Sequence, residues 1–405
     1  MRKAYVTFCS VICIAWLIYP FELQAVPPTT YIVVAAGTLD RREAVVTFTL
    51  PKETKVTSYN LRDEAGHVIP LQLGAHHQAT FILPELKAGT TKKYRLEVAK
   101  PGATNEGVQL LQAGNKLNIT SAGRRVLGYQ TQGELPRADI KPIFRRGGYL
   151  FPVYTPAGRI ITDDYPPNHV HHHSIWFAWT KTEFEGRPHD FWNMGDGTGT
   201  VEFQSLDATW SGPVEAGFKA RHRYVALDGQ TAKTALNEMW EVKVYRVAQG
   251  QPSMFDLTSI QECATSSPLL LPEYHYGGIG VRGHRDWDGK DNAFFLTSEG
   301  KDRSNGNATN ARWCAIGGRI EGQVAGIAVL SHPDNFRAPQ PLRLHPTEPY
   351  LCFAPSQKGS WEIAPGQLYT SRYRFIVYDG PPDAALLDRL WHDYATPPKE
   401  TLTHQ

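Results

Sequence analysis

Short segments in which apolar and polar residues alternate recur along most of the chain. Within residues 30–100 they include 44–50, 79–83 and 93–98, and clusters of Pro, Gly and Asp separate them. Alternation with a period of two, interrupted by turn residues about every ten positions, is typical of antiparallel strands. The pattern predicts a small β-sandwich over residues 30–100.

The same alternation continues through residues 108–380, after a Pro- and Gly-containing stretch at 101–107 that predicts a linker. The clearest segments are 118–129, 149–161, 200–211, 218–227, 238–247, 255–264, 325–330 and 369–378. No helical period lies between them, so the pattern predicts a large antiparallel two-sheet sandwich rather than a βαβ fold. We therefore expect an all-β protein in which a small sandwich precedes a large one.

One helix is predicted near the C-terminus, over residues 381–396. Two prolines at 381 and 382 suit its first turn, and Pro397 follows its end. The apolar residues with helical spacing on one face are Leu386, Leu387, Leu390, Trp391 and Tyr394. We expect this face to pack on the large sandwich.

The first twenty-five residues resemble a secretory signal peptide. Arg2 and Lys3 are followed by an apolar run and by Ala25 at the position of cleavage. The apolar run is short for a transmembrane span, although a retained membrane anchor is the alternative interpretation. We expect the protein to be secreted or periplasmic and, after cleavage, to have no membrane association.

The composition bears on two questions: which kinds of molecule the protein can bind, and whether it contains disulfides. The formal net charge is +2, and no basic stripe suited to a nucleic-acid backbone is present. Of five cysteines, Cys263, Cys314 and Cys352 lie beyond the signal, so at most one disulfide can form. We expect these cysteines to be buried thiols, with a Cys314–Cys352 or Cys263–Cys314 disulfide as the alternative. We expect the ligand to be a small molecule.

Four histidines cluster in the stretch 163–179, namely His169, His171, His172 and His173. The pair Pro166–Pro167 predicts a loop there, and if a strand begins at His171, then His171 and His173 share a face. Imidazoles can serve as acid or base near neutral pH. We expect no cofactor, but a divalent metal held by His169, His171 and His172 is an alternative.

Aromatic and polar residues surround this cluster. Trp176, Trp179 and Trp192 could stack on the faces of a sugar ring or could equally belong to the sandwich core. Asp190 and Asn193 could bind sugar hydroxyls or could be structural. The sequence leaves both readings open.

Two further groups carry candidate chemistry. In the stretch 272–282, a strand would place Glu273 and His275 on one face, which makes them a plausible acid–base pair. His332 and Asn335 follow the strand-like segment 325–330. Asn335 also suits an ordinary turn.

These motifs resemble those of the PmoA-like family of secreted bacterial proteins. The resemblance covers about residues 110–380 and rests on the stretches 159–179, 276–282, 311–313, 332–335 and 373–377. Val170, His173 and Ser174 depart from the family pattern. The family is often labelled methane oxygenase, a label that we do not expect to apply to a chain with no apolar span after its signal.

The family's layout is similar to the galactose-mutarotase-like supersandwich. By analogy of fold, this similarity implies that histidines and a glutamate act as acid and base on a sugar. Our main hypothesis is a secreted carbohydrate-active enzyme that catalyses epimerisation, glycoside cleavage or elimination. The alternatives are a non-catalytic carbohydrate-binding protein and a metal-dependent enzyme.

The hypothesis assigns residues to two roles. The expected catalytic residues are His169, His171, His172, Glu273 and His275. The expected substrate-binding residues are Arg159, Asp164, Trp176, Trp179, Trp192, Tyr276, Arg282, His332 and Asn335. Both sets depend on the loop near residue 170 and the segment near residue 273 opening into one hollow.

Overall fold

A computed structural model describes residues 29–51, 58–99 and 107–404. The predicted signal peptide and nearly all of the predicted linker lie outside these residues. No helix within the described ranges is long and apolar enough to cross a membrane.

Six N-terminal strands and the last strand of the chain form a seven-stranded antiparallel sheet with the order β2-β5-β4-β3-β6-β1-β27. Its strands are β1 (Thr30–Ala35), β2 (Arg41–Thr49), β3 (Tyr59–Asp63), β4 (Val68–Leu73), β5 (Gln78–Leu86), β6 (Thr91–Val98) and β27 (Lys399–His404). Its apolar side chains form a core cluster of their own. The last strand was not predicted, because Leu402 is the only large apolar residue among its six and its partner β1 lies at the other end of the chain.

The second sheet has eight strands in the order β23-β24-β19-β11-β10-β9-β8-β7. They are β7 (Val108–Ala113), β8 (Lys116–Ser121), β9 (Arg124–Gln130), β10 (Tyr149–Val153), β11 (Ile175–Ala178), β19 (Gly278–Arg282), β23 (Leu342–Leu344) and β24 (Tyr350–Phe353). The predicted segment 118–129 is thus two strands, because Ala122 and Gly123 adopt positive φ and turn the chain.

The third sheet also has eight strands, in the order β14-β15-β16-β17-β26-β22-β21-β20. They are β14 (Gly199–Trp210), β15 (Glu215–Asp228), β16 (Thr231–Tyr245), β17 (Ser253–Cys263), β20 (Ala293–Thr297), β21 (Trp313–Ile320), β22 (Gln323–Ser331) and β26 (Tyr369–Asp379). A small fourth sheet has the order β13-β12-β18-β25 and contains β12 (Thr182–Phe184), β13 (Arg187–His189), β18 (Leu269–Leu271) and β25 (Trp361–Ile363).

The two eight-stranded sheets enclose one apolar core. Tyr129 of the second sheet contacts Phe218 and Trp240 of the third, with ring centroids 4.5 and 6.5 Å apart. The hydroxyl of Tyr129 also lies 2.7 Å from Nε2 of buried His222, whose Nδ1 is 3.0 Å from a Glu238 carboxylate oxygen. The buried His222–Glu238 pair is therefore satisfied within the core. Because two eight-stranded sheets enclose this one core, the predicted large sandwich is confirmed.

The described residues contain one α-helix, α1 (Ala384–Ala395), within the predicted segment 381–396. The Asp383 side chain caps its N-terminus by accepting a hydrogen bond from the Leu386 amide at 3.0 Å. Leu387 and Leu390 are buried in a cluster with residues of the third sheet. The all-β class with a single C-terminal helix is therefore confirmed for the described residues.

Short 3-10 turns complete the described secondary structure, at Ala75–His77, Pro142–Phe144, Met194–Asp196, Arg285–Trp287 and Pro355–Lys358. Cys263, Cys314 and Cys352 are all free thiols, and the last two are buried. Neither of the disulfides considered from the sequence is present.

Candidate functional site

The histidine-rich segment is a looped insertion between β10 and β11 of the second sheet. Its turns close through hydrogen bonds from the His169 amide to the Pro166 carbonyl (3.0 Å) and from the His172 amide to the His169 carbonyl (2.9 Å). The following strand begins only at Ile175. The expectation of an extended strand from His171 is therefore wrong, because consecutive turns separate the side chain of His173 from those of its neighbours.

His173 and Asp164 anchor this loop to the core. His173 Nδ1 lies 2.9 Å from one carboxylate oxygen of Asp164, and the other oxygen accepts a 2.9 Å hydrogen bond from the Tyr149 hydroxyl. Burial raises the pKa of Asp164 well above its ordinary value. The prediction that Asp164 binds substrate is therefore not supported, because both of its oxygens are used within the fold.

The two predicted groups of residues meet in one pocket of about 210 Å³. The loop contributes three imidazoles, and the segment before β19 contributes an imidazole and a phenol. The lining residues are His169, His171, His172, Trp192, Asn193, His275, Tyr276, Arg343, His345 and Tyr350. The common hollow on which the sequence hypothesis depends is therefore present.

His172 is the centre of the stacked rings in this pocket. Its ring lies 4.8 Å from that of His169 in a nearly parallel stack and 4.7 Å from that of His171, edge to face. Tyr350 lies 5.0 Å away on the pocket side, and Trp176 lies 5.1 Å away. Trp176 is fully buried and does not line the pocket, so it supports the histidines rather than facing a ligand.

Several polar atoms of the pocket have no partner among the described residues. They include Nδ1 of His172, Nδ1 of His169 and the hydroxyl of Tyr350, all of them buried. Buried polar atoms are almost always hydrogen-bonded, and a group left without a partner costs about 1–3 kcal/mol.

The imidazoles of the pocket are neutral at pH 7. Burial, with a smaller contribution from neighbouring imidazoles and Arg282, lowers the pKa of His171 to about 4 and that of His172 well below its usual value. Burial and the nearby Arg343 guanidinium lower the pKa of His345 to about 4. Each neutral ring offers one donor and one acceptor, which suits the recognition of hydroxyl groups.

Arg343 and His345 were not predicted from the sequence. Leu342 and Leu344 of β23 are buried in the core, so the alternating positions Arg343 and His345 face the pocket. Nδ1 of His345 accepts a hydrogen bond from the Glu348 amide at 2.9 Å, which leaves the proton of the neutral ring on Nε2. The Leu-Arg-Leu-His alternation was the available signal, but three residues are too few to identify a strand.

Asp190 holds two lining residues in place. Its carboxylate accepts hydrogen bonds from the amides of Trp192 and Asn193 at 2.8 and 2.7 Å, and from the Asn193 side chain at 2.8 Å. The Asn193 side chain also donates to the Tyr276 hydroxyl at 2.8 Å. Asn193 therefore faces the pocket, whereas Asp190 has the structural role that the sequence left open.

Arg282 lies behind the pocket in a charged cluster. Its guanidinium is fully buried and donates to Glu348 at 2.8 Å, to Asn168 at 3.2 Å and to Asp288. Glu348 lies 3.9 Å from Nδ1 of His169. The prediction that Arg282 binds substrate is wrong in this structure, because its partners enclose it; it fixes the base of the histidine loop instead.

Glu273 does not reach the pocket. Residues 272–277 form no strand, so the expected shared face of Glu273 and His275 is absent. The Glu273 side chain is exposed, and only His275 and Tyr276 of this segment line the hollow. The assignment of Glu273 as a catalytic base is therefore contradicted by its position.

Trp179 belongs to the core and not to the pocket. Its indole N–H donates to the Gln261 side chain at 2.7 Å, and its ring contacts Trp361 and Tyr369 at 5.2 and 5.6 Å. The side chain is almost completely buried. The core interpretation left open from the sequence is thus the correct one for Trp179.

Three other predicted binding residues lie outside the pocket. Arg159 forms a surface ion pair with Asp379 at 3.0 Å. Asn335 donates to the Arg372 carbonyl at 2.8 Å and accepts from its amide at 2.7 Å, so it stabilises a turn. His332 packs 5.0 Å from Tyr394 of the helix. None of the three is placed to bind a ligand of the histidine pocket.

The metal alternative finds no support in the arrangement of the side chains. Within residues 29–51, 58–99 and 107–404, no group of three or more His, Cys, Asp or Glu side chains is placed to hold a metal ion. His169 and His172 stack with an interplanar angle of 18°. Stacked rings direct their nitrogens alongside each other rather than toward one central ion.

A larger cavity of about 780 Å³ lies between the N-terminal sheet and the large sandwich. Its lining includes Glu43, Arg124 and Arg246 among mostly aliphatic residues and no histidine. It lacks the convergent polar groups of the smaller pocket, which remains the candidate site.

The family comparison covers most of the large sandwich. A family model described as a family of unknown function (DUF6807) matches residues 116–392. No protein with a curated description matches the chain.

Several solved structures are similar to the chain at low identity. A protein in the glycosyl hydrolase family 38 from Enterococcus faecalis is 8% identical with a TM-score of 0.40, over 93% of this chain and 47% of the other. A GH36 α-galactosidase from Geobacillus stearothermophilus is 10% identical with a TM-score of 0.31, over 67% and 41%. The chain thus spans less than half the length of either protein.

A galactose mutarotase related enzyme from Lactobacillus acidophilus is also similar. It is 8% identical with a TM-score of 0.27, over 67% of this chain and 97% of the other. At these scores and identities, the likenesses do not bear on activity or substrate.

Proposed function

The chain belongs to DUF6807, a family of unknown function, and we propose from the geometry of its histidine pocket that the protein is a carbohydrate-active enzyme. The observation that carries the proposal is the pocket of His169, His171, His172 and His345, in which neutral imidazoles converge beside aromatic rings. The ring nitrogens of the partly exposed His171 and His345 would pair with hydroxyl groups of a sugar. The aromatic faces of Trp192 and Tyr350 would meet the C–H groups of its ring.

The size of the pocket suits a single sugar ring. Pockets for drug-sized ligands have volumes of about 300–1,000 Å³. The volume here is about 210 Å³, below that range, so the pocket accommodates one ring more readily than an oligosaccharide.

Neutral imidazoles would provide the acid–base chemistry. Epimerisation, glycoside cleavage and elimination each need a group that accepts a proton and a group that donates one. His171 is only partly buried at the pocket, so we assign it the role of base. His345 carries its proton on Nε2 and is assigned the role of donor.

Non-catalytic binding of a sugar is the second candidate. The observation that favours it is the absence of a carboxylate among the described residues that line the pocket, because most acid–base catalysis on sugars uses one. The metal-dependent alternative has no comparable support.

Two finer statements remain proposals. The five motifs resembling the PmoA-like family support a relationship with that family, and all five lie within the part matched by the DUF6807 model. The N-terminal pattern of residues 1–25 supports secretion. Processing by a signal peptidase, seen as loss of these residues from exported protein, would test the second statement.

The test of the function is a screen of monosaccharides, methyl glycosides and disaccharides. Binding is measured by calorimetry and turnover by chromatography of the products, with wild-type protein, His171→Gln and His67→Gln. His67 is exposed on the N-terminal sheet, which makes it a matched control. We expect a sugar that is turned over by wild type and His67→Gln but at least a hundredfold more slowly by His171→Gln.

Two other outcomes decide between the candidates. Binding of a sugar by all three proteins without any turnover would favour the non-catalytic alternative. Equal turnover by wild type and His171→Gln, with unchanged melting temperature, would remove His171 from the mechanism.

A further inference from the structure

The pocket has an unbalanced charge. Among the described residues that line it, Arg343 is the one with a permanent charge, and none is Asp or Glu. The imidazoles add no negative charge and are neutral themselves. The interior of the pocket is therefore positive at pH 7.

Carboxylates do lie nearby, but they are engaged outside the pocket. Glu348 and Asp288 share the Arg282 guanidinium, and Asp190 accepts four hydrogen bonds from neighbouring amides and side chains. No carboxylate of the described residues lies within 4.0 Å of the Arg343 guanidinium. None of these acids is available to neutralise Arg343.

Arg343 is held loosely at the wall of the pocket. The one hydrogen bond of its side chain to the described residues is a long one of 3.4 Å, from a guanidinium nitrogen to the Asn307 side-chain oxygen. That oxygen already accepts a 3.0 Å hydrogen bond from the Leu344 amide. The Arg343 residue is partly buried while its hydrogen bond to Asn307 is exposed, so its guanidinium remains free to pair with an oxyanion of a ligand.

Imidazole and phenol rings of the pocket lie near this cation. The Arg343 charge acts on His345, His275 and Tyr350, all of which line the pocket with it. A ligand that pairs with Arg343 would thus also reach donors of the surrounding rings. The fork of N–H groups on arginine matches the two oxygens of a carboxylate or sulfate.

We propose that the pocket takes a sugar carrying an oxyanion substituent, a carboxylate or a sulfate ester, and that Arg343 pairs with this group while the surrounding rings contact the sugar. This inference rests on the proposed function and names its substrate class. A uronic acid is the carboxylate form and a sugar 6-sulfate the ester form. The two share the same oxyanion chemistry.

The test compares three ligands of the same ring. Glucose, glucuronate and glucose 6-sulfate, together with the corresponding galactose series, are titrated into the protein by calorimetry at pH 7. A charge-assisted pair changes affinity by roughly tenfold to a hundredfold. We expect wild type to bind at least one oxyanion form more tightly than the neutral sugar by this factor.

Three variants locate the effect. Arg343→Gln should abolish the preference for the charged sugar, so that the charged and neutral sugars bind with similar affinity. Arg343→Lys should retain part of the preference, because the charge remains without the fork of donors. Arg319→Gln, at an exposed arginine of β21 outside the pocket, should behave as wild type.

The outcomes separate this inference from the proposed function. Equal binding of neutral and charged sugars by wild type, or a preference that survives Arg343→Gln, would overturn the oxyanion assignment and leave sugar binding intact. No binding of any member of either series would count against both. The wild-type comparison needs no variant, so it holds even if Arg343→Gln does not fold.

Discussion

Replacing Arg282 with Met removes the cation that holds two carboxylates behind the pocket. The guanidinium has no solvent exposure and donates to Glu348 and Asn168 at 2.8 and 3.2 Å as well as to Asp288. Methionine preserves much of the length of the side chain and none of its charge. The variant therefore leaves Glu348 and Asp288 next to each other without a counter-ion.

The structure sets the size of the effect. Breaking one side of a buried ion pair costs about 3–5 kcal/mol. The side chains of Asp288 and Glu348 are 30% and 12% exposed, so water can replace part of what they lose. We therefore expect about 3 kcal/mol, near the lower end. At roughly 2 °C for each kcal/mol, the melting temperature should fall by about 6 °C at pH 8.

The pH dependence gives the sharper signature. Burial and Glu348 raise the pKa of Asp288 to about 6, although Arg282 lowers it. A carboxyl whose pKa is higher in the folded than in the unfolded state stabilises the fold when protonated, and this stabilisation is lost as the pH rises through about 6. Without Arg282 the pKa of Asp288 rises further and the lowering of the Glu348 pKa by Arg282 is lost, so the loss of stability should be large at pH 8 and much smaller at pH 5.

Thermal unfolding at pH 5 and pH 8, followed by circular dichroism, measures both quantities. Arg319→Met is the matched control, because Arg319 is an exposed arginine of the same sandwich. A melting temperature of Arg282→Met within 1 °C of wild type at pH 8 would refute the ion-pair argument. An equally large loss at both pH values would show that packing, rather than charge, is what the variant removes.

Two further predictions concern the walls of the pocket. A Cβ added at Gly280 would lie 2.8 Å from the Trp192 ring and 3.2 Å from that of Trp176, so Gly280→Ala should cost about 1–3 kcal/mol in unfolding experiments and weaken ligand binding severalfold. Gly74→Ala is the control, because the nearest atom to its added Cβ would be 3.9 Å away. An unchanged melting temperature of Gly280→Ala would contradict the packing account. Glu273→Gln should leave sugar affinity and turnover within twofold of wild type, because this side chain is exposed and outside the pocket; a tenfold loss in either measurement would return Glu273 to the mechanism.

The sequence predicted the regular elements better than the loops. Alternation identified the long strands because each buries one face of a sheet, and this signal is local. The strand Lys399–His404 escaped because its pairing with β1 joins opposite ends of the chain. The positive φ values of Tyr165 and Ser174, which shape the histidine loop, are rare for residues other than glycine and could not be expected from residue type.

The sequence identified only part of the candidate site, because residue types are a local signal and the contacts that build the pocket are not. The histidine loop and the segment at His275 were recognised by their residue types, and their meeting in one pocket follows from the pairing of β11 with β19. Trp176, Trp179 and Trp192 look equivalent in the sequence, yet only Trp192 lines the pocket. All three are almost completely buried, so their position relative to the pocket separates them, and that position depends on partners as distant as Gln261 and Trp361.

The distribution of charge around the pocket connects these findings. Arg282 keeps Glu348 and Asp288 behind the loop, and the hydrogen-bonded turn keeps Asp190 beneath Asn193, so no acid of the described residues lines the hollow. The imidazoles remain neutral because burial and the arginines both oppose their protonation. The negative charge of an entering oxyanion would offset the positive charge of the arginines and so raise the pKa of the imidazoles it approaches. Ligand binding would then convert weakly basic imidazoles into groups able to hold a proton, which is what acid–base catalysis in this pocket requires.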